Sequence, residues 1–171
     1  SLDTPLYAEG DKKGVSDLVG SLLGNGTKNI SKTDYIEELD FLGAKIEFHP
    51  NGVSAMTLSK NTQRILELLA DGLLNPDFTQ EEFEKERTKH IENLIAEEKS
   101  VPAIANKVRD FLVFGKEHPL GEYVSEKTLK KITLSDVQEN YNTYFVPNNA
   151  YLVIVGDIKF GTAKKIIEKL F

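Results

Sequence analysis

The pattern of apolar and polar positions predicts a chain built mostly of helices. In residues 62–74, Ile65, Leu68, Leu69 and Leu73 lie on one face of a 3.6-residue repeat, which is typical of an amphipathic helix. Glycine, Asn-Pro or Pro-Asn follows most of the periodic segments, as expected at helix ends. Further helices are predicted over residues 14–23, 33–42, 79–99, 101–114 and 134–144, with a last helix from about residue 161.

Three shorter segments have the character of β-strands. Residues 44–48 alternate apolar and polar, residues 53–58 do so loosely, and Asn51-Gly52 between them predicts a tight hairpin turn. Residues 151–155 read Tyr-Leu-Val-Ile-Val, a continuous apolar run that predicts a buried central strand. Together these elements predict the α+β class, with several helices packed on a mostly antiparallel sheet.

Composition limits the size and the partners of the domain. A length of 171 residues suits one domain with a full hydrophobic core, so residues 1–171 are predicted to form a single unit. A net charge of −6 argues against nucleic acid and against an anionic membrane surface, because both attract basic proteins. No apolar run is long enough to insert into a bilayer. The chain begins without methionine and closes within a predicted helix, so we expect both ends to be truncated.

Several short strings follow one another in an order found in a known peptidase family. They lie between residues 14 and 157. Through them the chain resembles the N-terminal half-domain of the pitrilysin/insulinase-type zinc peptidases, and the resemblance implies the LuxS/processing-peptidase-like metallohydrolase fold. The strings are Gly14-Val15-Ser16, Leu22-Leu23-Gly24-Asn25-Gly26-Thr27, Glu37-Glu38-Leu39-Asp40-Phe41-Leu42-Gly43, Asn75-Pro76-Asp77-Phe78, Phe83-Glu84-Lys85-Glu86-Arg87, His118-Pro119-Leu120-Gly121, Tyr144-Phe145-Val146-Pro147-Asn148-Asn149-Ala150 and Val153-Ile154-Val155-Gly156-Asp157.

The resemblance implies where a zinc site would lie. In this family an inverted motif, H-x-x-E-H, begins three residues after the glycine that leads the first helix. Its two histidines bind zinc, and its glutamate is the general base. Counted in this way, the motif positions here are Asp17, Gly20 and Ser21. The family's third ligand, a glutamate seven residues after the glutamate of a Glu-Arg pair, falls on Asn93, so all four functional positions are substituted.

These substitutions predict that the chain binds no metal and has no catalytic residue of its own. Asp17 offers one carboxylate, whereas Ser21 and Asn93 are neutral, and the absence of cysteine excludes a thiolate site. No cofactor is expected in this chain, and zinc is expected only in a partner subunit. Two interpretations of Asp17, Gly20 and Ser21 stay open. They reflect drift at a site no longer used, or they leave a pocket for a substrate or partner.

The three histidines and the acidic run of the long helix have structural interpretations. His118 precedes Pro119 in a string that the family shares and is expected in a turn. His90 lies beside the apolar stripe of residues 79–99 and is expected to be partly buried and hydrogen-bonded, whereas His49 is expected to be exposed. The acidic side chains at the start of the same helix favour a solvated face over a cation site; they are Glu81, Glu82, Glu84 and Glu86.

The first predicted strand is a candidate peptide-binding edge. In active members of the family the corresponding strand receives the substrate by main-chain pairing, which needs no particular side chain and could outlast the zinc. Glu47 and Phe48 stand where the family usually has asparagine and alanine, which argues against ordinary substrate alignment. The candidate substrate-binding residues are Lys45, Ile46, Glu47, Phe48 and His49.

Three functions are compatible with these predictions. In the first, the chain is a zinc-less, catalytically degenerate half-domain that shapes a peptidase chamber, binds extended peptides or pairs with an active zinc-bearing subunit. In the second it is a structural scaffold without a proteolytic role. In the third it is a fragment of an active zinc peptidase whose H-x-x-E-H motif lies outside residues 1–171.

These hypotheses share a set of expected partners. They are a homologous half-domain, a zinc-bearing peptidase subunit and extended peptides, with a dimer as the expected assembly. No zinc peptidase activity is expected from this chain alone. The compartment stays open, with the bacterial periplasm or cell envelope favoured over the cytoplasm.

Overall fold

The computed structural model describes the backbone from Ser1 to Phe171 and every side chain except that of Pro147. Over these residues the chain forms eight α-helices and one two-stranded sheet, linked in places by short 3₁₀ helices. The helices are α1 (Val15–Leu22), α2 (Lys32–Leu42), α3 (Thr62–Leu74), α4 (Gln80–Glu97), α5 (Val101–Phe114), α6 (Glu126–Lys131), α7 (Leu134–Tyr144) and α8 (Phe160–Leu170); the strands are β1 (Lys45–His49) and β2 (Gly52–Met56).

Local sequence signals set most of these boundaries. The hydroxyls of Ser31 and Thr79 accept backbone N–H groups three residues on, both at 3.2 Å, and so cap the starts of α2 and α4. Gly43 ends α2 with a φ of 58°, a left-handed conformation that favours glycine. The α+β prediction is confirmed, and the predicted helices agree with the observed ones to within two residues at their ends.

One short helix, α6, is not predicted by the hydrophobic pattern. The Ser125 hydroxyl accepts the N–H of Thr128 at 3.2 Å, and the Thr128 hydroxyl accepts the N–H of Ser125 at 3.0 Å, which fixes the first turn from both sides. Leu129 is the one buried residue of α6 among those described. A helix of six residues with one buried side chain offers no periodic stripe to detect.

The hydrophobic core is built around α1. Leu18 and Val19 are fully buried, because α1 is packed against α4, α7 and β1 at once. A second cluster joins α2 to α3 through Tyr35, whose hydroxyl donates to the carbonyl of Leu68 at 3.1 Å. Within the described residues no helix has the length and apolar character needed to cross a bilayer. The buried partners of α1 in the main cluster are Phe83, Leu129, Ile132 and Val137.

The sheet is smaller than the sequence predicts. β1 and β2 pair antiparallel as the predicted hairpin, with Lys45 opposite Met56 and His49 opposite Gly52, so the two turn residues are Pro50 and Asn51 rather than the predicted Asn51 and Gly52. The prediction of a buried central strand over residues 151–155 is wrong: Val153 and Val155 are 80% and 92% exposed. The reason is the lack of a neighbour, because a strand needs another strand beside it and only the first residue of this run has one within the described residues.

Candidate functional site

Two of the four predicted motif positions lie where α1 packs against α4, and we call this interface around Asp17, Ser21 and His90 the α1–α4 cleft. Asp17 and Ser21 stand one turn apart on α1, and the Ser21 hydroxyl is 2.8 Å from Nε2 of His90 on α4. Both members of this pair are half-buried, so the histidine prediction is confirmed. Asn93, one turn further along α4, is exposed. The residue of α4 that contacts Ser21 is therefore His90 and not the predicted Asn93.

The Asp17 carboxyl lies in an unfavourable environment for a negative charge. Burial raises its pKa, and the nearby charge of Glu9 raises it further, whereas His90 and Lys13 act in the opposite direction. The pair formed by Ser21 and His90 has the composition of a nucleophile with its base. No hydrogen bond joins Asp17 to His90 in the described part of the chain, so the third contact of a catalytic triad is not made.

Glu9 anchors the N-terminus of α1. Its carboxylate oxygens accept the N–H groups of Gly14 at 2.8 Å and Ser16 at 3.0 Å, and Lys13 pairs with it at 3.3 Å. A negative charge is stabilising at this end of a helix. No signal in the sequence points to this role of Glu9. The backbone groups that it binds lie five and seven residues further along the chain, which is outside the spacing of the usual capping motifs.

Gly20 is the motif position that the surrounding fold constrains most. A Cβ atom placed on Gly20 would lie 2.8 Å from the carbonyl carbon of His49, 2.8 Å from the nitrogen of Pro50 and 3.1 Å from its Cδ. The β1–β2 turn therefore packs directly onto the backbone of α1 at this point. The interpretation that small residues leave a pocket receives no support at Gly20, because the hairpin fills that space.

A buried carboxylate lies one turn before His90 on α4. Glu86 is 9% exposed, and its Oε1 accepts a long hydrogen bond of 3.4 Å from the amide of Asn25. The same amide donates to the carbonyl of Ser21 at 3.0 Å, and Lys89 approaches the other Glu86 oxygen at 3.5 Å. Glu86 thus ties the end of α1 to α4. In sequence it is hidden within an acidic run that predicts a solvated surface.

The donor set of the cleft does not fit zinc. Asp17 supplies one carboxylate, and the Ser21 hydroxyl is neutral and already bonded to His90. A side chain long enough to act as general base at position 20 would collide with the His49–Pro50 backbone. Among the described residues, no group of three His, Cys, Asp or Glu side chains is arranged to hold a metal ion.

The predicted peptide-binding edge, β1, is accessible on one side. Lys45, Glu47 and His49 point outward, and Lys45 pairs with Glu47 at 2.5 Å, which holds the pKa of that carboxyl below its usual range. The ring of Phe48 points inward and lies against Gly24, where a Cβ atom would meet it at 2.6 Å. Phe48 is therefore a packing residue, and its main chain rather than its ring faces the edge.

The remaining polar candidates have structural roles. Nδ1 of His118 accepts the N–H of Leu120 at 3.2 Å, and its ring stacks on Phe114 with centroids 5.2 Å apart, as expected for a turn residue. The acidic start of α4 is paired with cations: Glu82 contacts Lys32 at 2.6 Å. Further pairs are Glu81–Lys85 and Glu84–Arg87.

A family model described as insulinase, peptidase family M16, matches residues 6–113, and a model described as the peptidase M16 inactive domain matches residues 131–171. A curated relative, the probable zinc protease PqqL of Haemophilus influenzae, is 25% identical over 96% of this chain and 19% of its own length.

Solved structures show the same fold. A protease from Helicobacter pylori superimposes with a TM-score of 0.80 at 18% identity, over 99% of this chain and 43% of that one. The first half of the periplasmic protease PqqL from Escherichia coli gives 0.78 at 19% identity, over 98% and 39%. The chain thus spans less than half of each of these proteins.

The match over residues 6–113 covers more than half of the 171 residues. Its boundaries include α1, the hairpin and α4, which together form the cleft. The resemblance found in the sequence strings is therefore confirmed. The chain belongs to the insulinase family of peptidases, family M16.

Proposed function

We propose that the chain is a zinc-less, catalytically degenerate half-domain of the insulinase family, residues 1–171 forming one unit. The observation that carries this proposal is the contact between Gly20 and the His49–Pro50 turn. This contact leaves no room at position 20 for the side chain of the family's general base. The hairpin therefore excludes that side chain, in addition to its loss by substitution with glycine. The hydrogen bond between Ser21 and His90 and the exposed Asn93 support the same conclusion.

A homologous half-domain is the partner we propose. The solved relatives are longer chains of which this fold is one part, and one of them is described as the first half of a protease. α5 supports such pairing because none of its described residues is buried, and Val101, Leu112 and Val113 are 77%, 75% and 67% exposed.

The periplasm is the proposed compartment, by analogy with the Escherichia coli relative.

Zinc content tests the central claim. The purified chain would be equilibrated with zinc, desalted and analysed by elemental mass spectrometry, using the double variant His49→Ala/His118→Ala to remove exposed imidazoles. We expect no stoichiometric zinc. One zinc per chain that disappears in Asp17→Ala or His90→Ala would refute the proposal, because it would locate a metal in the α1–α4 cleft.

We further propose that the outer edge of β1 binds extended peptides. The β1–β2 register directs the N–H and C=O groups of Ile46 and Phe48 away from β2, so they can pair with an added strand. Affinities of about micromolar or weaker are expected, measured by calorimetry. Peptides N-methylated at every second position test whether binding occurs by edge pairing. Methylation of the N–H groups that point toward β1 should abolish binding, whereas methylation of those that point away from β1 should not. Equal binding by both would contradict edge pairing.

A further inference from the structure

A line of polar side chains runs along the α1–α4 cleft. The Ser21 hydroxyl is 2.8 Å from Nε2 of His90. Four residues further along the chain, the amide of Asn25 donates to Oε1 of Glu86 at 3.4 Å. A step of four residues forward from Ser21 therefore matches a step of four residues back from His90, so the two segments run antiparallel.

Two further polar residues lie at the outer end of this line. The antiparallel register places Asp17 beside residues 93–94 of α4, of which Asn93 is the polar one. Asp17 is close enough to His90 for their charges to interact, although no hydrogen bond joins them in the described part of the chain. Asn93 is exposed, whereas Glu86 is buried, so the line opens to solvent at the Asn93 end.

The orientation of the Ser21 hydroxyl differs from that of other hydroxyls within the helices. A serine or threonine inside a helix commonly donates to the carbonyl of the residue four positions earlier. Thr88 and Thr143 do so, both at 2.8 Å. The Ser21 hydroxyl is instead directed to the ring of His90, and among the described residues no other hydroxyl is hydrogen-bonded to an imidazole. The packing of α1 on α4 thus holds one serine and one histidine together.

This contact has the chemistry of a nucleophile with its base. With the ring proton of His90 on Nδ1, its Nε2 accepts the hydrogen of the Ser21 hydroxyl. Transfer of that proton makes the imidazole a cation, which the nearby charge of Asp17 stabilises. The exposed amide of Asn93 lies about one turn after His90, where it is available as a donor to the oxygen of a reacting carbonyl.

We propose that Ser21 accepts acyl groups from activated esters, with His90 as general base and Asn93 as donor to the carbonyl oxygen. The Oγ atom of Ser21 forms a bond to the carbonyl carbon while its proton passes to Nε2 of His90. The C–O bond to the leaving group then breaks, and the imidazolium gives its proton to the departing oxygen. Water hydrolyses the acyl-serine by the same route. This reaction is separate from zinc hydrolysis and does not rest on the proposed role as a half-domain.

The class of substrate follows from the contacts that the site lacks. Asp17 makes no hydrogen bond to His90 within the described residues, so the imidazole is not oriented as in a complete triad. A single amide donor also stabilises an oxyanion less than the two donors of a full oxyanion hole. The site therefore suits an aryl ester, whose phenolate leaves readily, rather than an amide, whose amine is a poor leaving group.

p-Nitrophenyl acetate tests this proposal with Ser16 as an internal control. Ser16 is also half-buried on α1, but no imidazole is bonded to it in the part of the chain that the structure describes. The purified chain is treated with the ester, and the initial rates of acetylation at Ser21 and Ser16 are measured by peptide mass spectrometry. We expect Ser21 to react at least about 100-fold faster, which is the size of a general-base contribution. This comparison within one chain needs no variant, so loss of folding cannot affect it.

Three variants assign the individual roles. His90→Gln should slow acetylation of Ser21 by about 100-fold, and Asn93→Ala by about tenfold or more. His118→Gln is the control, because it removes an imidazole from an exposed turn and should leave the rate unchanged. Urea denaturation of each variant establishes that it is folded under the conditions of the assay.

Three results would overturn the proposal. Equal acetylation of Ser21 and Ser16, or acetylation of neither, would show that Ser21 is not activated. A rate at Ser21 that persists in folded His90→Gln would exclude His90 as the base. A rate unchanged in Asn93→Ala would exclude the assigned donor.

Discussion

At the scale of single residues, the hairpin turn and α1 share the space next to Gly20. The carbonyl carbon of His49 and the nitrogen of Pro50 would each lie 2.8 Å from any Cβ atom at this position. Both neighbours are backbone atoms, so relief requires movement of the hairpin or of the helix. Restoring a histidine or glutamate motif by substitution in α1 alone would therefore disturb β1 as well.

We expect Gly20→Ala to destabilise the fold by about 1–2 kcal/mol, since an overpacking cost of about 1–3 kcal/mol exceeds the helix propensity gained by replacing glycine. Gly161→Ala in α8 is the matched control, because a Cβ atom there meets nothing within 4 Å. That control should leave stability unchanged or slightly raise it. Urea denaturation of both variants measures the difference, and a Gly20→Ala chain as stable as the control would disprove the contact.

Asp17→Asn should stabilise the protein at neutral pH. The folded state raises the pKa of Asp17 through burial and the charge of Glu9, so ionisation of Asp17 opposes folding. Below the unfolded pKa of about 3.9 the carboxyl is neutral in both states and the effect vanishes; it grows as the pH rises through the folded pKa. Denaturant midpoints of wild type and variant at pH 3 and pH 7 test this. A gain that is equal at both pH values would contradict the assignment.

Relations between residues close in sequence were easier to predict than the long-range contacts between α1, α4 and the hairpin. The spacing of Asp17 and Ser21 along one helix follows from the period of the chain. The Ser21–His90 bond joins residues 69 positions apart, and nothing local marks His90 as the residue that would face Ser21. The contact between the hairpin and Gly20 could not be predicted either, because it depends on how β1 packs over α1.

At the scale of elements, Asp71 joins the end of α3 to the loop before α2. Its carboxylate accepts hydrogen bonds from Thr27 at 2.6 Å, Asn29 at 2.5 Å and Asn75 at 2.9 Å. Burial alone would raise its pKa, but these three donors outweigh burial and lower it. Thr27 is itself buried, and Asp71 is the acceptor of its hydroxyl hydrogen, while the hydroxyl oxygen accepts the N–H groups of Asn29 and Ile30.

We expect Asp71→Ala to cost about 1–3 kcal/mol, because it removes hydrogen bonds to a charged group and leaves the hydroxyl hydrogen of Thr27 without its acceptor. The contribution of the charge is present above the unfolded pKa of about 3.9 and is lost as the pH falls through the lower folded value. The difference between wild type and Asp71→Asn should therefore shrink in acid. Thermal melts at pH 7 and in acid check both points, and a pH-independent difference would argue against the charge.

The helices and the hairpin could be predicted because their signals are local, whereas the state of residues 151–155 could not. The caps Ser31 and Thr79 directly precede the helices that they begin, and the apolar stripe of α3 lies within that helix. Residues 151–155 have the composition of a strand, but pairing depends on a neighbour that composition does not reveal. The hairpin was predictable because its two strands and its turn are adjacent in the chain.

At the scale of the whole molecule, α5 leaves an apolar surface open. A groove of about 460 Å³ lies between α5, the end of α4 and residues 123–126, lined in part by Ile104, Val108 and Leu112. We expect the isolated chain to self-associate weakly through it, and Leu112→Lys to abolish that association with little change in stability, since Leu112 is 75% exposed. Sedimentation equilibrium measures the effect.

Asn106→Lys is the control for this prediction, because it adds the same charge at another exposed position of α5. It should leave association unchanged. Equal loss in both variants would indicate a general charge effect, and equal association in both would show that the groove is not involved.

The two sides of α1 have different structural roles. Leu18, Val19 and Leu22 hold the main core together, while Asp17 and Ser21 contribute little to it. Chemistry on the cleft side can therefore be lost, or rewritten, while the interior that keeps the domain folded stays intact. For protein engineering, positions 17, 21 and 93 are open to extensive randomisation, whereas a design that needs a side chain at position 20 must rebuild the hairpin first.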